Sequence, residues 1–474
     1  MRIYVPMALS FAATVWSQTP PLSVPIPAQM ANPSDPVLDS LIRQALDRSP
    51  DLARASDLIA AEKERIPQAR ALPDPTLSFG IQNDGFKKIQ VGVMETSYYQ
   101  VMLTQPFYWP GKRGIKADVA RLGAEVSEAS LSRERLTLRA DVKRAYYGLL
   151  LVHDQQLLLD LQVPLLQQAE AITKTRYEVG QGSQADMLRA QLASMRLIQP
   201  RLALESEART ALANLNRLRA MPPETPIPTT QSFGKLADPT PIRIESTVEP
   251  ALQESPELNS ARVGLKQAER SLDLARLNRR PDFTVSAGVM PRGALEPMWT
   301  FNVGITLPLW SKNKQQRAVA EQEFRRSAQG SQIEGLGHLL KERIHERAAN
   351  LDAALAVLRL YHEGLLVQSE GAFKASLAQY ETGKAPFLSA LEALNGWIAD
   401  QSGLLQTQAQ AQAIVIAQEE LTLGPTLPIG ATGLSAGSMG SGAGGSAKSA
   451  AGNSSSGAAA GAGSESGSSS TTSM

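Results

Sequence analysis

The sequence predicts a mainly α-helical fold with a small membrane β-barrel part, built from two copies of one helix-strand-strand-long helix-helix unit. Three observations predict it: an internal duplication, two pairs of short segments that alternate apolar and polar residues, and long stretches with an apolar residue at every seventh position.

The duplication rests on four markers that keep their order. Ala45-Leu46-Asp47-Arg48-Ser49-Pro50-Asp51-Leu52 recurs as Ala251-Leu252-Gln253-Glu254-Ser255-Pro256-Glu257-Leu258, and Pro73-Asp74 recurs as Pro281-Asp282. Pro106-Phe107-Tyr108-Trp109 returns as Pro308-Leu309-Trp310, and Tyr177-Glu178-Val179-Gly180 as Tyr380-Glu381-Thr382-Gly383. All four recur about 205 residues later, as a repeated structural unit requires. The first repeat is expected over residues 37–220 and the second over 248–424, with a Pro-rich linker or equatorial segment over 221–247.

Each copy opens with a helix, about Val37 to Ala71 and about Val248 to Asn278. Two alternating segments follow. Leu77, Phe79 and Ile81 interleave with Thr76, Ser78, Gly80 and Gln82; Tyr99, Val101 and Leu103 interleave with Gln100, Met102 and Thr104. The second copy alternates in the same way through Phe283, Val285, Ala287 and Val289, then through Trp299, Phe301, Val303, Ile305 and Leu307. Period two with one apolar face means a sheet between two environments. A soluble half-buried sheet gives the same pattern. Segment length suits a tilted membrane strand, and four strands cannot close a water-filled barrel, so several copies of the chain would have to remove the open edges. Tyr98, Tyr99, Phe107, Tyr108, Trp109, Trp299 and Trp310 lie near strand ends, where an aromatic girdle would sit.

The long helices come next. Ala117, Ala124, Leu131, Leu138, Ala145, Val152, Leu159 and Leu166 keep an unbroken seven-residue interval, as do Ile344, Leu351, Leu358, Leu365 and Ala372. Such spacing packs helices side by side at shallow angles. From Ala117 to Glu178 one helix would extend roughly 93 Å, with a kink expected at Pro164. In each copy a Gly-containing turn and a return helix complete the unit.

The ends differ from the body. Arg2 followed by the apolar stretch Ile3–Val15 and small residues at Val15 and Ser17 form a signal-peptide pattern over residues 1–17. Residues 18–36 make a Pro-rich leader, and 425–474 a Gly/Ser/Ala-rich tail whose composition buries too little apolar surface to order it. No apolar run of about 20 residues follows the signal, so a membrane location would have to be a β-barrel.

Composition narrows the chemistry. A content of 43% hydrophobic and 20% charged residues supports a real core, and a net charge of +1 points to no nucleic-acid partner. With no cysteine, disulfides, thiol nucleophiles and thiolate metal sites are out. His338 and His345 share a helix face but lack a third ligand, so no metal site is assigned. No phosphate-binding loop or catalytic set stands out, so neither a cofactor nor an enzyme activity is expected.

Taken together, Ser49-Pro50-Asp51-Leu52, Leu72-Pro73-Asp74-Pro75, Trp109-Pro110-Gly111-Lys112 and the run Arg176-Tyr177-Glu178-Val179-Gly180-Gln181-Gly182-Ser183-Gln184-Ala185-Asp186 resemble the TolC-like outer-membrane efflux family over about residues 37–424. The Leu-Pro-Asp-Pro and Trp-Pro-Gly-Lys forms are similar to its metal-cation efflux branch. The resemblance implies a homotrimer giving twelve strands in outer-membrane lipid and a helical tunnel in the periplasm. It implies passive conduction in a tripartite efflux system, with a periplasmic adaptor and an inner-membrane pump, such as one of the RND type, as partners.

It also implies roles for individual residues. Gly180, Gly182 and Gly383 would lie at periplasmic tips that meet the adaptor; read alone, they are helix-reversal glycines. Asp186 resembles the family's gate aspartate, Tyr380 the tyrosine that hydrogen-bonds it, and Glu392 a member of an acidic pore ring. Without the family, Asp186 reads as a first-turn acid after Ser183, and Glu392 as a helix-surface acid. Two positions depart from the family pattern: Ala385 stands where a gate arginine can occur and Ser389 where a second pore acid can occur. Two rivals remain at this point. A periplasmic adaptor predicts one helical hairpin, not two, and a structural coiled coil leaves the four strands without a purpose.

Overall fold

The computed structural model describes residues 35–228 and 232–425. The signal peptide, the leader as far as residue 34 and the tail from residue 426 on lie outside the described residues. The elements run α1 (Pro36–Arg48), α2 (Pro50–Arg70), β1 (Thr76–Gln82), β2 (Tyr98–Phe107), α3 (Lys112–Glu178), α4 (Gln184–Arg196) and α5 (Ile198–Leu218). A 3-10 turn at Phe233–Lys235 leads to α6 (Ile244–Glu254), α7 (Pro256–Leu277), β3 (Asp282–Arg292), β4 (Leu295–Thr306) and α8 (Gln315–Leu360). A π turn at Tyr361–Leu365 then joins α8 to α9 (Leu366–Glu381), and α10 (Phe387–Glu419) follows. The unit is thus written twice, helix pair, strand pair, long helix and return helix.

The opening helix of each copy is two helices, not the single one expected. The break falls on the repeated Ser-Pro. Ser49 and Ser255 are extended, with ψ of 119° and 120°, because a following proline excludes the α conformation. Each serine then caps the next helix: Ser49 Oγ accepts from Leu52 N at 3.3 Å and Ser255 Oγ from Leu258 N at 3.4 Å. The most visible repeat marker in the sequence is therefore an N-cap.

The four strands form one antiparallel sheet in the order β1-β2-β3-β4. The ladder sets Leu77 opposite Leu103, Phe79 opposite Val101, Leu103 opposite Ala287 and Ala287 opposite Phe301. These apolar positions thereby share one face, and Met102, Met290 and Met298 lie on the other. Phe79 is 75% exposed and Trp299 79%, so among the described residues most of that face is uncovered. A soluble half-buried sheet would bury it, so the alternation here is that of a sheet facing lipid. Gln105 is the polar exception on this face, and its Nε2 donates to the Pro73 carbonyl at 2.8 Å.

The 67 residues of α3 extend roughly 100 Å at about 1.5 Å per residue. The helix is continuous through Pro164, whose ring is exposed. In α8 the seven-residue series holds at Ile344, Leu351 and Leu358, all fully buried. It then slips by one: the buried positions are Phe373 and Tyr380, and the expected Ala372 is exposed. The π turn inserts the extra residue that shifts the phase.

Candidate functional site

Two places concentrate the residues that the sequence singles out: the paired hairpin tips and the junction between sheet and helices.

At the tips, α3 and α9 end in the same way. Gly180 N donates to the Tyr177 carbonyl at 3.0 Å and Gln181 N to the Arg176 carbonyl at 2.8 Å. In the second copy Gly383 N donates to Tyr380 O at 3.0 Å and Lys384 N to Gln379 O at 2.9 Å. Both are Schellman caps, with φ of +75° at Gly180 and +76° at Gly383, a conformation that glycine adopts without strain. Gly182 is needed for space, since a Cβ there would lie 2.9 Å from Tyr177 N. Beyond the first turn, Ser183 Oγ accepts from Asp186 N at 3.1 Å and opens α4.

The two hairpins pack on each other through Ala169, Ala190, Tyr380, Phe387 and Ala390. Tyr380 lies at the centre, with its ring edge-on to Phe387 at 5.3 Å. Its hydroxyl is buried and has no hydrogen-bond partner. Burial raises the Tyr380 pKa, the Asp186 carboxylate raises it further, and Arg176 opposes the shift. Among the described residues of this one chain Asp186 and Tyr380 are not hydrogen-bonded to each other, and Asp186 Oδ1 takes Arg189 Nη1 at 3.3 Å. Asp186 stands in the first turn of α4, as capping chemistry alone predicts. Glu392 is exposed on α10 and makes no ion pair among the described residues. Ala385 sits in the turn after Gly383, and Ser389 in the first turn of α10.

Sequence reasoning missed a role for Arg176. Its guanidinium, from the last turn of α3, donates to the carbonyl of Tyr380, to that of Glu381 at 3.3 Å and to that of Gln181 at 3.3 Å. It also lies 5.0 Å from the centre of the Tyr380 ring. One side chain thus ties the end of α9 to the end of α3. The signal was a basic residue in the last helical turn before a capping glycine.

At the junction, Lys112 begins α3 after Gly111, whose φ is 91°. Lys112 Nζ donates to Asp282 Oδ1 at 2.9 Å and to the Arg280 carbonyl at 3.1 Å. Trp109 N donates to the same Asp282 oxygen at 2.8 Å, and the Trp109 ring stacks on Phe283 at 5.6 Å. Nearby, Lys116 Nζ lies 3.8 Å over the ring of Tyr108. Trp-Pro-Gly-Lys of the first copy and Pro-Asp-Phe of the second are therefore the two halves of one contact.

An amphipathic antiparallel sheet with its apolar face uncovered, continued by long paired helices that end in capped tips, defines a barrel-and-coil membrane duct subunit. Known proteins agree. The chain is 25% identical over 407 residues to the cobalt-zinc-cadmium resistance protein CzcC of Cupriavidus metallidurans, a match spanning 83% of this chain and 92% of that one. Its fold superposes on the outer-membrane channel OprN with a TM-score of 0.71 at 17% identity, covering 82% of this chain and 91% of that structure. It superposes on the CusC channel with a TM-score of 0.67 at 17% identity, covering 82% and 92%. The model of the outer membrane efflux protein family matches residues 41–220 and 247–422. The chain belongs to that family. It is an outer-membrane efflux channel component, with its helical part in the periplasm.

Proposed function

We propose that three copies of this chain close their sheets into one twelve-stranded barrel and conduct a substrate passively through a helical tunnel. A periplasmic adaptor and an inner-membrane pump deliver that substrate, and the chain itself catalyses no reaction. The observation that carries this reading is a four-stranded sheet with two unpaired edges and one uncovered apolar face. Such a sheet needs lipid on one side and further strands on both edges. The described residues contain no helix long and apolar enough to cross a membrane, so in this reading the sheet alone carries the span.

The tips at Gly180, Gly182 and Gly383 are the adaptor-contacting end, and Asp186, Tyr380 and Glu392 belong to the gate and pore. Threefold symmetry would turn one exposed Glu392 into three facing carboxylates, an attractive ring for cations. Similarity to a cobalt-zinc-cadmium resistance protein supports divalent metal cations as substrate, and an RND-type pump is the partner in this reading. Repeats 37–220 and 248–424 then act as two pseudo-equivalent staves of the duct, joined by the 221–247 segment at its equator.

Cell fractionation and chemical cross-linking test the proposal. The mature chain should sediment with outer membranes and cross-link as trimers. In a strain relying on it for efflux, its loss should raise cobalt, zinc or cadmium sensitivity. Recovery as a soluble monomer would overturn the duct, and unchanged metal sensitivity would overturn the substrate.

A further inference from the structure

The two ends of the sheet differ in charge. At the end where strands meet helices the chain passes four times, over residues 70–75, 108–118, 277–282 and 307–317. These segments carry nine basic and three acidic residues. At the opposite end, residues 83–97 and 290–297 carry three of each. Of the nine cations at the junction, only Lys112 has a carboxylate partner among the described residues. Arg279, Arg280, Lys312, Lys314 and Arg317 are exposed and form no ion pair among them.

The residues at this end follow the order of a bilayer edge. The apolar face of the sheet closes with Phe107 opposite Phe283. Trp109 comes next, its ring stacked on Phe283, and the Arg280 guanidinium lies 5.9 Å from the centre of the Trp109 ring. In the second copy Leu309 and Trp310, each 78% exposed, follow Leu307, and Lys312 and Lys314 come directly after them. Apolar side chains thus give way to aromatic rings, and rings to cations, as they do where hydrocarbon meets headgroups. Because Phe283 belongs to the lipid-facing side, Trp109 and the Arg280 stacked on it lie on that side and not toward a lumen.

We propose that this end is a cationic belt that binds the phosphate headgroups of anionic phospholipid in the periplasmic leaflet of the outer membrane, and that the bound lipid stabilises the protein. The inference rests on the sheet lying in the membrane and not on how many copies surround it. Two features select a lipid. Unpaired guanidinium and ammonium groups make charge-assisted contacts with phosphate, and such contacts concentrate anionic lipid around a basic surface. Exposed Leu307, Leu309 and Trp310 beside the lysines supply apolar contact at the acyl boundary, which a water-borne polyanion would leave wet. The balanced far end gives no such preference at the outer surface.

Full-length chain reconstituted into nanodiscs of phosphatidylcholine, or of phosphatidylcholine mixed with phosphatidylglycerol, tests the belt. Wild type should melt higher in the mixed discs, and native mass spectrometry should find phosphatidylglycerol retained several-fold over phosphatidylcholine. Both effects should shrink as salt is raised. The four-site variant Arg279→Gln, Arg280→Gln, Lys312→Gln, Lys314→Gln should melt as wild type does in phosphatidylcholine and lose most of the gain. Lys87→Gln with Lys88→Gln, at the far end, should keep it. Where the four-site variant does not fold, the lipid retention of wild type and its salt dependence decide alone. Equal retention of the two lipids by wild type overturns the proposal, as does a gain that survives in the four-site variant. An altered ion selectivity of conductance in that variant, with lipid retention unchanged, places the cations in the lumen and overturns it too. Lost binding to isolated peptidoglycan, with lipid retention unchanged, makes the belt a wall contact and overturns the lipid. A chain that enters neither disc overturns the membrane placement of the sheet itself.

Discussion

Lys112 and Asp282 form an ion pair at 2.9 Å that joins the first residue of the first long helix to the first residue of the second strand hairpin. The Lys112 side chain is 3% exposed and that of Asp282 35%. Asp282 Oδ1 also accepts the Trp109 N–H, so the carboxylate pins the turn that converts strand into helix. Substituting Lys112→Met removes the cation and leaves Asp282 with one neutral donor. A charged hydrogen bond of this kind contributes about 2 kcal/mol, and the variant should melt correspondingly lower in detergent. An unchanged melting temperature would show that the junction is held by the Trp109–Phe283 stack alone.

The contact of Arg176 with Tyr380 lies within the gate proposed above. Opening the tips by moving one hairpin away from the other requires Arg176 to release the carbonyls of Tyr380 and Glu381. Arg176→Met should therefore raise single-channel conductance in planar bilayers several-fold. Arg176→Lys should not restore the wild-type value, because an ammonium lacks the planar fork that reaches several carbonyls at once. Equal conductance in all three proteins would make the arginine a helix cap only.

Tyr380 gives the tips a pH dependence with a definite sign. Its pKa is raised in the folded chain, so the neutral phenol is favoured by folding. The stabilisation is complete below the ordinary tyrosine value of about 10 and is lost as pH rises past it. The melting temperature of wild type should fall relative to Tyr380→Phe as pH rises above about 10. A constant difference between the two proteins would contradict this.

A second buried charge stabilises the end of α10. The Glu420 side chain, 5% exposed, accepts from Arg133 Nη2 at 2.8 Å and from Arg144 Nη2, both on α3. Its neighbour Glu419 is 31% exposed and meets Lys143. Glu420→Ala removes two charged hydrogen bonds, while Arg133 keeps Glu257 and Arg144 keeps Asp141, and should cost about 1.5–3 kcal/mol. Glu419→Ala, at a more solvated pair, should cost about 0–1 kcal/mol. Equal losses measured by denaturant unfolding would contradict the difference in burial.

The parts of this fold that were legible in the sequence are those written in local pattern. The period-two alternation placed the strands and their shared apolar face, and the recurrence of Ser-Pro, Pro-Asp and Tyr-x-x-Gly placed the two copies. Local irregularities were harder to read. The split at Ser49 needed the cap and the proline to be weighed together, and the π turn at Tyr361–Leu365 left only a one-residue slip from Ala372 to Phe373. The Lys112–Asp282 pair was hidden although both residues lie in conspicuous motifs. Its partners meet only once β2 and β3 are known to be neighbours, which no local pattern states. The same holds for Arg176 and Tyr380, which come together through the packing of two hairpins.

In the proposed duct the sheet becomes a closed wall only when copies of the chain are added. A three-dimensional image reconstruction of the detergent-solubilised particle, computed without imposed symmetry, tests it most directly. Three chains around a continuous lumen are expected, with twelve strands at one end and helices at the other. A particle of one chain, or a helical rod with no lumen, would contradict it.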